Sequence, residues 1–280
     1  MRSDADFDAY GQAFLRDVYG SSKGRVRLEV LAADLLAGIP LLAAGGLTVL
    51  DAGGGAGQLS IRLAALGNHV VLADPSQQML NEATAAIERA GVADRITLVR
   101  SDIAGLSQII DGSFGVVLCH AVLEWLADPR TAVMRLAPLL DAGGTLSLAF
   151  YNRNASVLKS MLEGEFAQAL REESGQVQAR GGESGVVALA ERDVREWVHQ
   201  ADLTVYAKAG IRIFHDHLRP DNRTAEWMDD LLVAERQLRQ EEPFASLGQH
   251  IHLLCTCSTA TQASHRPRPT RLDVTESTSG

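Results

Sequence analysis

Two hydrophobic rhythms alternate along the chain. Between residues 25 and 150, short runs of consecutive apolar residues are separated by longer stretches in which apolar positions recur every three or four residues. The short runs suit parallel strands buried on both faces, and the longer spacing suits amphipathic helices. Residues 25–44 read as a helix with Val26, Val30, Leu31, Leu35 and Leu36 on its apolar side, stopped by Gly45 and Gly46. Leu47–Asp51 reads as a first strand, 57–67 as a helix, His69–Asp74 as a second strand and 76–91 as a helix closed by Gly91. Arg95–Val99, Phe114–Cys119 and Gly144–Phe150 follow as strands, with a helix near 130–140 before the last. Strands and helices taking turns predict an α/β fold, a parallel sheet with helices on both faces.

The pattern loosens at both ends. Residues 1–24 are polar, with Phe7, Phe14 and Tyr19 spaced to anchor a short helix. Residues 163–185 are polar and contain glycines, which predicts a mobile loop. Helical spacing returns at 190–201 and 224–241, Leu203–Phe214 reads as a strand pair or one bent strand, and Gln249–Cys257 as a last strand. The segment 258–280 holds only four apolar residues in 23, too few to bury, and is expected to be a disordered tail. The expected organisation is a helical cap over 1–46, one α/β domain over 47–257 and that tail.

Composition narrows the classes of function. The 280 residues are 46% hydrophobic and 22% charged, as in globular chains. A net charge of −9 excludes a protein that coats nucleic acid through overall positive charge, though not a local basic patch. Three cysteines, Cys119, Cys255 and Cys257, make no disulfide framework. Cys255 and Cys257 sit in an apolar run that reads as strand, so no metal is expected there. No apolar stretch reaches the length of a membrane span, and the acidic start MRSDADFDAY lacks a signal-peptide core. A cytoplasmic protein is expected, of an oligomeric state the pattern does not set.

The chemistry concentrates where the first strand ends. Asp51-Ala-Gly53-Gly54-Gly55-Ala-Gly57 fits D-x-G-x-G-x-G. Glycines permit backbone angles closed to other residues and let a ligand touch the main chain, while the helix start behind them offers unpaired N–H groups. Asp74, at the end of the second strand, is placed to accept hydrogen bonds from two ribose hydroxyls. A dinucleotide loop requires glycine where Gln58 stands, and a phosphate loop requires Gly-Lys-Ser/Thr, which is absent. A nucleoside without a pyrophosphate remains, and S-adenosylmethionine fits. Asp102 follows the third strand, where an acid can bond an adenine amino group with the Ile103 N–H at the ring. His120 ends the fourth strand, at the edge where open parallel sheets bind ligands. Trp125, a few residues on, reads as core.

These residues resemble class I S-adenosylmethionine-dependent methyltransferases over 47–150. A narrower resemblance extends further. Tyr19-Gly-Ser-Ser-Lys-Gly-Arg-Val-Arg27, DAGGGAGQ, Cys119–Trp125, Phe150-Tyr-Asn152, Ile213–Arg219 and Glu242-Pro-Phe…Leu-Gly-Gln-His-Ile-His252 are similar to the bacterial tRNA 5-carboxymethoxyuridine methyltransferase family. The resemblance implies a Rossmann-like class I methyltransferase fold with a seven-stranded, mostly parallel sheet and helices on both faces. It implies methylation of the carboxylate of 5-carboxymethoxyuridine at the wobble position, in the anticodon loop of tRNA. It also implies S-adenosylmethionine contacts from Arg27, Gly53, Gly54, Asp74, the backbone near Ile103, and His120.

Methylating a carboxylate requires no general base, because such a group is already ionised at neutral pH. The chain shows no catalytic dyad. Tyr151 and His215 are expected as positioning residues, and Tyr151, Asn152, Arg212, His215 and Arg219 as substrate-side groups, since arginine forks match carboxylates and phosphates. Arg16, Lys23, Arg25, Arg27, Arg219 and Arg223 are candidates for a phosphate-contacting face, and Tyr151, Phe214 and Trp227 for base stacking. Two other readings stay open: a methyltransferase acting on a small carboxylic acid or metabolite, and a catalytically inert S-adenosylmethionine-binding protein.

Overall fold

The computed structural model describes residues 21–175, 186–218, 225–257 and 271–272. Helix α1 spans Ser22–Gly38, and the Ser21 side chain caps it by accepting the Gly24 N–H at 3.2 Å. The helix was expected to run to 44. It ends instead before Pro40, which lacks an N–H and disfavours helical backbone in the residue ahead of it.

Seven strands form the main sheet: β1 (Thr48–Ala52), β2 (His69–Asp74), β3 (Ile96–Arg100), β4 (Phe114–His120), β5 (Leu140–Tyr151), β6 (Leu203–Ile211) and β7 (His250–Cys257). Their order is β3-β2-β1-β4-β5-β7-β6, parallel from β3 to β5, with β7 antiparallel to both β5 and β6. The chain leaves β1 for β2 on one side and later returns to place β4 on the other. That reversal opens a crevice at the carboxyl ends of the two strands. The segment 203–214, expected as a strand pair or one bent strand, holds one strand, Leu203–Ile211, with a bulge between Val205 and Ala207.

Successive residues of each strand serve opposite layers, as the two-residue period of a strand requires. Val49, Leu72, Val116 and Leu118 face a layer with Leu35 of α1, Leu59 and Leu63 of α2 (Gln58–Ala65), and Leu80 and Ala83 of α3 (Gln77–Ala90). Leu50, Val71, Val117 and Cys119 face the other layer, with Val133 and Leu136 of α4 (Pro129–Leu136). Leu35, Leu63 and Leu72 are fully buried, each contributing about 1.5–3 kcal/mol.

Two helices follow β5 that the apolar pattern does not show: α5 (Arg153–Leu162) and α6 (Phe166–Glu173). The second falls inside the stretch expected as a mobile loop; residues 176–185 of that stretch lie outside the described residues. The buried faces of these helices are small or polar, Ala155, Ser156 and Ser160 on one and Ala169 and Glu172 on the other. Glu172, buried on α6, accepts the hydroxyls of Ser156 and Ser160 on α5, each at 3.0 Å. Helix α7 (Glu191–Gln200) packs Val194 and Val198 on the α4 side of the sheet. Helix α8 (Ala225–Leu238) and α1 cover β6 with Val26, Val30, Met228, Leu231 and Leu232. In the segment expected to be a disordered tail, Arg271–Leu272 pairs antiparallel with Ile110–Asp111. The helix expected around Phe7, Phe14 and Tyr19 lies outside the described residues.

Candidate functional site

A cavity of about 470 Å³ opens at the carboxyl edge of β1, β2, β3 and β4. A smaller one of about 70 Å³ adjoins it, and the two share Arg27, Gly53, His120, Ala121 and His250. The glycine loop forms one wall. Its first two N–H groups, from Gly53 and Gly54, donate to the Ala73 carbonyl at 2.7 and 3.2 Å, so the loop leans on the end of β2. Gly53 has φ +81°, and a Cβ there would stand 2.4 Å from Val122 Cγ2, so both backbone and space require glycine.

The buried Asp74 carboxylate organises this corner: Oδ2 accepts the Gly55 N–H and Oδ1 the Ser76 N–H, both at 2.9 Å. Asp51 sits beneath the loop, buried, with Ser60 Oγ donating to its Oδ2 at 2.6 Å. Burial pushes the Asp51 carboxyl up to about 6; the Ser60 bond works against this and the Asp74 charge adds to it. Asp51 and Gly54 line the smaller cavity rather than the main one, and Gly57, with φ +77°, caps α2 away from both.

Asp102 and Ile103 line the main cavity beyond β3, and Asp102 Oδ1 accepts the Gly105 N–H at 2.8 Å. His120 lines both cavities at the end of β4. Burial, with nearby positive charge such as that of Arg27, holds its pKa well below the ordinary histidine value, so the ring is neutral. Its Nδ1 is buried with no hydrogen-bond partner among the described residues. His250 shares both features: a lowered pKa, from burial and then the Arg212 and Arg27 charges, and a buried Nδ1 with no such partner. Glu124 stands near it, Oε1 to His250 Nε2 at 4.0 Å, and burial pushes its carboxyl up to about 7 against the opposing Arg27 charge.

The substrate-side expectations divide. Tyr151 and Arg212 line the cavity. Arg212 holds a left-handed backbone, φ +60°, and its guanidinium pairs with Asp216 at 2.8 Å. Asn152 does not face the cavity. Its amide donates to the carbonyls of Ser246 and Gly248 at 2.9 and 2.8 Å while its oxygen caps α5, which explains why a polar side chain is buried there. His215 is likewise withdrawn from it: the ring is fully buried between Asp216 Oδ1 at 3.0 Å and Ser22 Oγ at 2.9 Å. Burial alone would raise Asp216, but the His215 bond and the charges of Arg212 and Lys23 hold it well below the usual carboxylate range. Arg219, Arg16 and Arg223 lie outside the described residues.

Trp125, expected in the core, lines the cavity half-buried. Lys23, expected on a phosphate-contacting face, also lines it, as do Glu124 and His250, which were not singled out from the sequence. Both lie in segments that carried the narrower resemblance, and that membership was the available signal. Among the described residues, no cluster of His, Cys, Asp and Glu has the grouping of a metal site, and no helix is long and apolar enough to cross a membrane.

Comparison with known proteins places this geometry in context. A family model described as a methyltransferase domain matches residues 50–148. The tRNA 5-carboxymethoxyuridine methyltransferase of Escherichia coli K12 is 34% identical over 256 residues, covering 89% of this chain and 95% of that protein. The ubiquinone biosynthesis O-methyltransferase of Hahella chejuensis is 30% identical over 166 residues, covering 59% of this chain and 66% of that protein. Among solved structures, the magnesium protoporphyrin IX methyltransferase of Synechocystis PCC 6803 with bound S-adenosylhomocysteine superposes with a TM-score of 0.61 at 21% identity, covering 90% of this chain and 96% of that one. At that identity the likeness speaks for the fold alone.

Proposed function

The chain belongs to the tRNA 5-carboxymethoxyuridine methyltransferase family, and from that premise we propose that it methylates the carboxylate of 5-carboxymethoxyuridine at the wobble position of tRNA, giving the methyl ester. It is an S-adenosylmethionine-dependent methyltransferase. When bound, S-adenosylmethionine supplies a positively charged methyl donor. The residues present suit it: a cavity of about 470 Å³ is in the range of small-ligand sites, and it joins a buried acid, a glycine wall and an unpartnered imidazole nitrogen. In this reading Asp74 holds the ribose hydroxyls, Asp102 and the Ile103 backbone hold the adenine, and Arg27 and His120 hold the amino-acid end.

The observation that carries the acceptor assignment is the far wall, where Arg212, Tyr151 and His250 face the same cavity as the glycine loop. An ionised acceptor carboxylate requires a cation and soft hydrogen bonds to orient it, and no base. Uniting opposite charges is favoured where water is excluded. Apolar Ile103, Leu106, Val122 and Leu126 line the same cavity and limit hydration. Orientation by these groups can contribute up to about 7–11 kcal/mol of the barrier reduction. Of the basic group expected to meet phosphates, Lys23, Arg25 and Arg27 are described, all on α1; Arg27 serves the donor in this reading, which leaves Lys23 and Arg25. Binding through them should weaken steeply with salt.

The test is direct. The protein is incubated with S-adenosylmethionine and tRNA that carries unesterified 5-carboxymethoxyuridine, and the nucleosides are analysed by mass spectrometry. Conversion to the methyl ester is expected. An unchanged tRNA, with methylation of small free carboxylic acids instead, contradicts the proposal.

A further inference from the structure

Behind the cavity an unbroken polar file crosses an apolar layer. His120 Nε2 lies 2.8 Å from Ser147 Oγ, Ser147 Oγ lies 2.7 Å from His252 Nε2, and His252 Nδ1 lies 2.7 Å from Asp34 Oδ2. At its far end Asp34 Oδ1 accepts from Arg239 Nε at 2.6 Å and from Gln240 at 2.8 Å. Strand register builds the file. His120 on β4 and His252 on β7 both pair with Ala149 of β5, and Ser147, two residues earlier on the same face, slips its hydroxyl between the rings. Ser147 and His252 are fully buried and Asp34 nearly so. Apolar side chains would fill this layer without the desolvation cost of four polar ones, so stability alone does not account for the file.

We propose that Asp34, His252 and Ser147 are positioning residues that fix the tautomer of His120, leaving its Nδ1 as a bare acceptor for the ammonium group of the methyl donor. The inference rests on the reading of this cavity as the S-adenosylmethionine site. The hydrogens follow one by one. Burial alone would raise Asp34, but hydrogen bonds from His252, Arg239 and Gln240 hold it ionised. A carboxylate only accepts, so His252 Nδ1 carries a hydrogen. Arg239 also pairs with Asp34, so the carboxylate charge is answered without a second hydrogen on the ring, and the proposal assigns His252 Nε2 a lone pair. Ser147 donates its single hydrogen to that lone pair. In its other bond Ser147 therefore accepts, and His120 Nε2 is the donor. With His120 neutral, Nδ1 bears no hydrogen; like His250 Nδ1 it is a buried nitrogen at the cavity with no hydrogen-bond partner among the described residues, and it is the one whose ring ends the file. Asp74 and Asp102 answer the ribose and adenine donors, so the ammonium group is the donor left for His120.

The tautomer is read in the ligand-free protein by two-bond hydrogen–nitrogen correlation spectra of labelled histidines. His120 is expected with the hydrogen on Nε2; a hydrogen on Nδ1 overturns the proposal, and the wild-type spectrum decides this whether or not a variant folds. Ser147→Ala is expected to mix the two tautomers and weaken S-adenosylhomocysteine binding, measured by calorimetry, about tenfold. The same variant should bind 5′-methylthioadenosine, which lacks the amino-acid end, as tightly as wild type. His252→Phe, which breaks the file further from the cavity, should behave alike. An unchanged tautomer and affinity in Ser147→Ala, or equal losses for both ligands, overturns the proposal. Failure of wild type to bind S-adenosylhomocysteine overturns both this inference and the donor site, whereas failure to methylate tRNA bears only on the acceptor.

Discussion

Replacing Asp51 by asparagine should stabilise the protein, and should do so increasingly as pH rises. The carboxyl is buried beneath the glycine loop with one strong partner, the Ser60 hydroxyl at 2.6 Å. Burial raises it from 3.8 to about 6, so the folded chain binds its proton more tightly than the unfolded chain does. Stability is therefore lost as pH climbs from the unfolded value through the folded one, and the full cost stands above about 6. A shift of this size corresponds to about 3 kcal/mol at pH 8 and about half of that at pH 5. Asparagine has the same shape, keeps an oxygen to accept from Ser60 and carries no charge. Urea unfolding of ligand-free wild type and Asp51→Asn at pH 5 and pH 8 measures the difference, provided the denaturant slopes agree. A gain that is the same at both pH values, or a variant no more stable than wild type at pH 8, would refute the buried-charge reasoning.

Other expectations follow from individual contacts. Asp74→Ala removes the acid that would hold the ribose and should weaken S-adenosylmethionine binding at least about tenfold by calorimetry, one charge-assisted bond being worth about 1.5–3 kcal/mol; unchanged affinity removes the ribose assignment. Arg212→Gly deletes the guanidinium while keeping a residue at home at φ +60°; it should leave donor affinity within about threefold and lower turnover on tRNA at least about tenfold, and equal turnover would return Arg212 to a structural role. Glu235 on α8 is fully buried and accepts the N–H groups of Ile213, Phe214 and His215 at 2.7, 2.9 and 3.3 Å. Glu235→Ala should cost about 3 kcal/mol or more of unfolding free energy by strapping the loop no longer, and a loss under about 1 kcal/mol would show that water replaces the carboxylate without penalty.

How far the sequence could be read depended on what each buried face is made of. Strands β1, β2 and β4 are buried on both sides, so their apolar runs are nearly uninterrupted, and their ends at Asp51, Asp74 and His120 mark the cavity edge. Helices α5 and α6 escaped because their buried residues are Ser156, Ser160 and Glu172 with only Ala155 and Ala169 beside them, too few apolar positions to mark a helix. Asn152 was placed with the substrate because it follows the fifth strand, yet its amide is consumed by two carbonyls of the turn before β7. His215 was drawn the same way by its basic neighbours, whereas burial between Ser22 and Asp216 makes it a strut behind the wall. Glu124 and His250 show the converse: burial gives both their altered acid–base character, and burial of a single side chain leaves no mark in local spacing.

A crystal structure of the protein grown or soaked with S-adenosylhomocysteine tests the donor site most directly. The account predicts density between the Gly53 loop and His120, with the ribose against the Asp74 carboxylate, the adenine beside Asp102 and Ile103, and the amino group against His120 Nδ1. Density lodged elsewhere, or an empty cavity at saturating ligand, would contradict it.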